Sequence, residues 1–120
     1  MATPQGHRNL ATGNQGEDAA ARWYEAHGYV VLARNWRCQD GELDLIVARQ
    51  GELVFCEVKT RASTRYGTPA EAVTPTKQRR LRRLAARYLA EAAPPTHRRA
   101  LRFDVASVLA GEVTIIEAAF

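Results

Sequence analysis

The sequence predicts an α/β domain: a mixed central β-sheet of about five strands flanked by helices, in the order α-β-β-β-α-β-β. Three observations carry this. The stretch GELDLIVARQGELVFCEVKTR, Gly41 to Arg61, reads as two apolar strands folded back on each other about a two-residue turn at Gln50-Gly51. Both faces of those strands are apolar: Leu53 and Phe55 precede Glu57 on one, while Val54, Cys56 and Val58 line the other. Such a sheet is covered on both sides. Two segments with helical apolar spacing, one before the strand pair and one after it, supply the cover.

Residues 1–13 are polar and predict a flexible N-terminus, with residues 14–120 forming a single domain. Asn14 is placed to cap a helix, with Glu17 completing a capping box. That helix presents Ala19, Ala20, Trp23 and Tyr24 inward, runs to His27 and stops at Gly28. Tyr29 to Ala33 is a first strand and Arg34 to Asp40 a polar connection. Leu43 to Ala48 and Leu53 to Thr60 form the strand pair, and Ala62 to Thr74, with Gly67 and Pro69, a loop. Thr74-Pro75 reads as an N-cap followed by proline at the first helical position. This second helix reaches about Ala92 before Pro94-Pro95, with Leu81, Leu84, Ala85, Tyr88 and Leu89 inward and arginine over most of the rest. Leu101 to Leu109 and Val113 to Glu117 make a last hairpin around Ala110-Gly111.

A chain of 120 residues can bury a core without staples. No apolar run approaches the ~20 residues of a membrane span, and MATPQGHRNLATGNQGED lacks the apolar core of a secretory signal, so the expected location is cytoplasmic. Cys38 and Cys56 read as reduced thiols, Cys56 within the core. The net charge is +4 and unevenly spread. From Pro75 to Phe103 the bases are Lys77, Arg79, Arg80, Arg82, Arg83, Arg87, Arg98, Arg99 and Arg102, against the single acid Glu91. A basic segment beside an acidic cluster suits a phosphate-bearing polymer, DNA ahead of RNA, although a solvated basic helix has the same composition.

The turn at Gln50-Gly51 pairs Arg49 with Glu52 and Ile46 with Phe55, and by the same sum Asp44 with Glu57 and Glu42 with Lys59. Directly opposed residues lie roughly 4.5–5.5 Å apart at Cα, and like charges there repel. A divalent cation between them removes the objection. Mg²⁺ or Mn²⁺ takes hard oxygen ligands, and Asp44, Glu57 and the carbonyl of Val58 are the metal candidates. Such an ion neutralises phosphate charge and acidifies a bound water. Lys59, two residues beyond Glu57 on the same strand face, can orient that water. The bland reading is a salt-bridge set at a strand end. Glu17 is a further catalytic candidate as an outer ligand, and Glu42 either supports the site or partners Lys59. Lys77, Gln78, Arg79, Arg80, Arg83 and Arg87 would contact a nucleic-acid backbone, positioning it without reading sequence. Trp36 and Tyr66 could stack on bases, though loop aromatics are more often partial core. His7, His27 and His97 are scattered and take no role.

Asp44, twelve intervening residues and then Glu57-Val58-Lys59 resembles the signature of the PD-(D/E)XK nuclease superfamily. The wider chain resembles the YraN-like family, uncharacterised protein family 0102, through GED at Gly16, GYVVLARNWR at Gly28, GELDLIV at Gly41, FCEVKTR at Phe55, GTPAEAVTPTKQRRLRRLA at Gly67 and RFDVASV at Arg102. The resemblance covers about residues 14–118. It implies a restriction-endonuclease-like core similar to archaeal Holliday junction resolvases, with magnesium or manganese used to cut phosphodiester bonds and leave 5′-phosphates. Its two acids fall on Asp44 and Glu57, its lysine on Lys59 and the helix glutamate on Glu17. Leu43 stands where a proline often precedes the first acid, and Gln78 is followed by Arg82 rather than by the tyrosine of the exonuclease-like branch. The expected function is a Mg²⁺-dependent, structure-selective DNA endonuclease, with a homodimer admitted. The alternatives are a non-catalytic nucleic-acid-binding module on the same scaffold and an interaction protein whose basic helix docks on an acidic partner.

Overall fold

A computed structural model describes residues 12–61, 73–92 and 100–120. The elements are α1 (Thr12–Ala26), β1 (Val30–Cys38), β2 (Gly41–Arg49), β3 (Glu52–Arg61), α2 (Pro75–Glu91), β4 (Ala100–Leu109) and β5 (Glu112–Ile116). The order and the mixed sheet are those the sequence predicts. The strands lie in chain order β1-β2-β3-β4-β5. Only β3 and β4 pair in parallel; the other neighbours are antiparallel. A parallel pair needs a crossover of a dozen or more residues, and α2 lies within it.

The sheet is covered on both faces, as its two-sided apolar strands require. On one face Leu81, Leu84, Ala85 and Tyr88 of α2 pack with Ile46, Leu53, Phe55, Phe103 and Val105. On the other, Ala20, Ala21 and Tyr24 of α1 pack with Leu45, Val47, Val54, Cys56 and Ala106. The inward stripe of α1 is thus turned slightly from the expected one: Ala21 is buried, while Ala19 and Trp23 are half-buried.

The turn chemistry holds. Gln50 and Gly51 have φ of 48° and 84°, and Ala110 and Gly111 of 53° and 82°. Positive φ at both central residues is the type I′ geometry that matches strand twist. At the end of α1, Tyr29 N–H donates to Tyr24 O at 3.0 Å and Gly28 N–H to Glu25 O at 3.1 Å, with Gly28 at φ 87°. This is a Schellman ending, which needs a left-handed residue. Thr74 Oγ1 accepts from Lys77 N–H at 3.2 Å and caps α2. Thr74→Ala is expected to lower stability by about 1 kcal/mol, measurable by denaturant melts.

Two boundaries differ from the sequence reading. Helix α1 begins at Thr12, so Asn14 lies inside it and Glu17 is not the third residue of a capping box. A cap signal is weak beside the burial of Ala20, Ala21 and Tyr24, which fixes where the helix lies. The supposed connection Arg34–Asp40 is mostly strand, since β1 runs on to Cys38 against Gly41. It is an edge strand with no fully buried position, so its pattern stays polar. Trp36 accordingly joins the core, edge-on to Tyr88 with ring centroids 5.4 Å apart. Residues 1–11 and 62–72, with Pro94-Pro95, His97, Arg98 and Arg99, lie outside the described residues, as do the expectations for His7 and Tyr66. Among the described residues no helix is long and apolar enough to cross a membrane.

Candidate functional site

The site is built where the sheet opens. Arg49 pairs with Glu52 and Ile46 with Phe55, as the turn dictates, but the β2–β3 ladder ends at Leu45–Cys56. The expected pairs Asp44–Glu57 and Glu42–Lys59 do not form. Beyond Leu45, β2 stays paired to β1 as far as Gly41–Cys38, and β3 stays paired to β4 as far as Arg61–Leu109. The two central strands keep their outer partners and release each other. Val58 N–H, which a continuing ladder would use, donates instead to Asp44 Oδ2 at 2.9 Å. A buried N–H needs an acceptor, and a carboxylate is a strong one.

Asp44 is irregular on its other side too. The β1–β2 register passes from Arg34–Leu45 to Trp36–Leu43 and skips Asn35 opposite Asp44. Asn35 has φ 54°, a left-handed conformation that Asn tolerates. The side-chain alternation slips at the same place. Leu45 and Val47 face α1, yet Leu43 joins Ile46 on the α2 face. Asp44 is therefore turned into the gap of the sheet.

Three carboxylates meet there. One oxygen each from Glu17, Glu42 and Asp44 lie within 4.8 Å of one another. Glu17 arrives from α1 and is 9 % exposed. Asn35 Nδ2 donates to its Oε1 at 2.9 Å, and Arg34, which pairs with Asp18 at 2.6 Å, stands 3.9 Å away. Gly16 lets α1 approach this closely, since a Cβ there would run into Thr60 Oγ1. Glu42 also pairs with Arg37 at 3.3 Å, so its partner is Arg37 and not Lys59. Burial, and then the nearby Glu57 carboxylate, push Asp44 up to about 7 despite the bond from Val58. Burial raises Glu17 as well, partly offset by Asn35.

Glu57 stands outside this 4.8 Å group. Its Oε2 accepts from Lys77 Nζ at 2.6 Å and lies 3.5 Å from Lys59 Nζ. Glu57 is 9 % exposed, so this carboxylate depends on its cations. Burial, and then Lys77 beside it, hold Lys59 below the ordinary lysine range. Burial is the largest single influence on the Lys77 ammonium and works against it, but the hydrogen bond to Glu57, the contact with Lys59 and the charges of Glu57 and Asp44 together outweigh it, and Lys77 is raised. Of the two amines, Lys59 is the easier to deprotonate.

A cleft of about 270 Å³ lies over this arrangement, lined by Glu42, Asp44, Glu57, Lys77, Arg80 and apolar neighbours. The expected phosphate contacts on α2 divide. Arg80 and Arg83 have no carboxylate partner among the described residues, and Arg79 only reaches Thr76 Oγ1 at 3.3 Å. Gln78 donates to Val73 O at 3.1 Å, and Arg87 bridges Asp40 and Glu91 at 3.1 and 2.8 Å, so both serve the fold. Arg82 lies over Phe103 and Phe120, 4.7 and 5.6 Å from their ring centres. The sequence places Lys77 among backbone contacts and gives no sign that it enters the acid site, because the Glu57–Lys77 contact depends on how α2 returns across the sheet.

The donor set fits a hard divalent cation. Ligand oxygens on opposite sides of Mg²⁺, at 2.0–2.1 Å each, are roughly 4.2 Å apart. One oxygen from each of the three carboxylates, all within 4.8 Å of one another, lies near enough to share a single ion once the side chains draw in around it. Val58 meets the site through its N–H, held on Asp44 Oδ2.

The chain is thus an α/β protein whose mixed sheet parts around converging acids, with two lysines and a basic helix alongside. It belongs to the Uncharacterised protein family UPF0102, whose model matches residues 16–108. A UPF0102 protein of Beutenbergia cavernae is 61 % identical over 100 residues, covering 82 % of each chain. One from Frankia casuarinae is 58 % identical over 95 residues, covering 79 % of each. A third, from Symbiobacterium thermophilum, is 54 % identical over 101 residues, again with 82 % coverage of both.

Proposed function

We propose that the chain is a Mg²⁺- or Mn²⁺-dependent endonuclease that cleaves phosphodiester bonds in DNA and selects branched or junction structures, as the likeness of Asp44…Glu57-Val58-Lys59 to the PD-(D/E)XK signature implies. The observation that supports it is the opening between β2 and β3. A folded chain gains nothing from crowding Glu17, Glu42 and Asp44 there, nor from burying Asp44 beside Glu57, which together raise its carboxyl.

Glu17, Glu42 and Asp44 would hold the cation, with Glu57 close by. When bound, it supplies charge neutralisation at the scissile phosphate and a water that ionises nearer neutral pH. The protein supplies the rest. Arg80 and Arg83 hold the backbone, contacts that orient a duplex without reading its bases. Lys59, 3.5 Å from Glu57 Oε2, would orient the attacking water and stabilise the developing charge. Asn35 and Val58 fix the carboxylates of Glu17 and Asp44.

The test is a panel of end-labelled linear, flap and four-way-junction DNAs incubated with Mn²⁺. Cleavage is expected with the wild-type chain and absent with Asp44→Ala and Glu57→Ala; cleavage that persists in both variants excludes the mechanism. Arg80→Glu with Arg83→Glu is expected to weaken DNA binding and to flatten its salt dependence by about two phosphate contacts, measured by anisotropy across a salt series.

One observation favours a second reading. Glu57 is already neutralised by Lys77 at 2.6 Å. A module that binds nucleic acid without turnover would use the same arginines and need no metal. DNA binding that is independent of Mn²⁺, with no cleavage of any panel member, would favour it.

A further inference from the structure

Of the two ion pairs that Glu57 makes among the described residues, the one to Lys77 is the shorter, 2.6 Å against 3.5 Å for Lys59. It also spans two functions, since Glu57 lies beside Asp44 while Lys77 shares the cleft wall with Arg80. One ammonium thus faces both the acids and the place where a phosphate would lie. Resting on the metal-site reading above, we propose that Lys77 is an internal counter-ion which competes with the divalent cation for Glu57. A substrate phosphate entering the cleft draws Lys77 off that carboxylate.

The physical reason is charge balance in a partly buried site. Glu57 is 9 % exposed and needs a cation beside it at all times. Without metal, Lys77 fills that need and keeps Glu57 apart from the three clustered acids. A phosphodiester oxygen beside Lys77 and Arg80 offers the ammonium a new partner. Glu57 is then left short of positive charge and turns to the metal. Lys59, 3.5 Å from the same oxygen, is the more distant of the two amines and does not replace Lys77 fully. Metal and nucleic acid therefore bind cooperatively. By linkage, each raises the affinity of the other by the same factor. The protein holds metal weakly until DNA is present, which confines the loaded state to the bound complex.

The test is calorimetric titration of Mn²⁺ into the full chain, alone and with a phosphorothioate-linked DNA junction that retains its charge. For the wild type, DNA is expected to tighten Mn²⁺ binding by roughly 5-fold or more, the lower end of common couplings. Lys77→Met is expected to bind Mn²⁺ more tightly than wild type without DNA, by a similar factor, and to lose most of the coupling. If Lys77→Met binds free Mn²⁺ no better than wild type while the wild type still takes up Mn²⁺ with DNA, the competition is overturned and the nuclease reading stands. If neither protein takes up Mn²⁺ under any condition, both fall together. Folding is controlled by Lys77→Met with Glu57→Gln, which removes the charge that Lys77→Met strands. The pair is expected to be more stable than Lys77→Met alone by thermal melt; equal stability would mean that Lys77 does not serve Glu57.

Discussion

Asp44→Asn is expected to stabilise the metal-free chain above pH 7 while abolishing divalent-cation uptake and cleavage. The carboxyl of Asp44 ionises near 3.8 in an unfolded chain and at about 7 in the folded one. Between those values the folded state holds the proton and the unfolded state has lost it, so stability falls as pH rises through that window. Above about pH 7 the deficit is complete, and below about pH 4 it is gone. At about 1.4 kcal/mol per pH unit, a displacement of this size is worth on the order of 4 kcal/mol. Asn cannot ionise, and its side-chain oxygen still accepts from Val58 N–H. Urea melts at pH 5 and pH 8 check this. The gain of Asp44→Asn over wild type is expected to be clearly larger at pH 8; an equal gain at both would show that ionisation of Asp44 is not what the fold opposes. A variant that is more stable and inactive has lost a group kept for function rather than for folding.

Arg102→Ala is expected to cost about 3–5 kcal/mol, well beyond the loss expected at the Thr74 cap. Asp104 is fully buried on β4. Arg102 donates to both its oxygens at 2.9 Å, Tyr24 Oη donates at 2.6 Å and Ala118 N–H at 3.0 Å. The same guanidinium reaches Glu52 at 3.2 Å and Tyr29 Oη at 3.1 Å. The Arg102–Asp104 pair thus ties β4 to α1, to the start of β3 and to the segment after β5. Its hydrogen bonds to Asp104 and Tyr29 hold the guanidinium even further above its ordinary range. Removing it strands a buried carboxylate, which costs far more than an exposed pair would. Guanidinium melts with a matched Arg83→Ala control measure it. Arg83 is exposed, and its loss should change stability by less than about 0.5 kcal/mol.

The elements were legible because each is signalled locally. The two I′ turns, Gly28 after α1, and Thr74-Pro75 before α2 depend on neighbouring residues alone. Alternation on both faces of β3 announced two covering layers. β1 beyond Ala33 was not legible, because an edge strand exposes much of its length and RNWRC carries no apolar alternation. The candidate site was half legible. Asp44, Glu57 and Lys59 stand out by spacing, but the strand register assumed for them fails at Asp44. Nothing local reveals that Asn35 and Asp44 both leave their ladder, or that Glu42 rather than Glu57 turns toward Glu17. The Asp104 network was missed for a similar reason, since Tyr24 is 80 residues from its partner.

The metal site itself is tested most directly by crystals of the full chain with DNA, soaked in Mn²⁺ and measured for anomalous scattering. One peak is expected in the gap between β2 and β3, within bonding distance of an Asp44 oxygen and of Glu17, Glu42 or Glu57, and it should vanish in Asp44→Ala crystals. A peak that persists in Asp44→Ala, or no peak in the gap at millimolar Mn²⁺, would contradict a metal centre built on these acids.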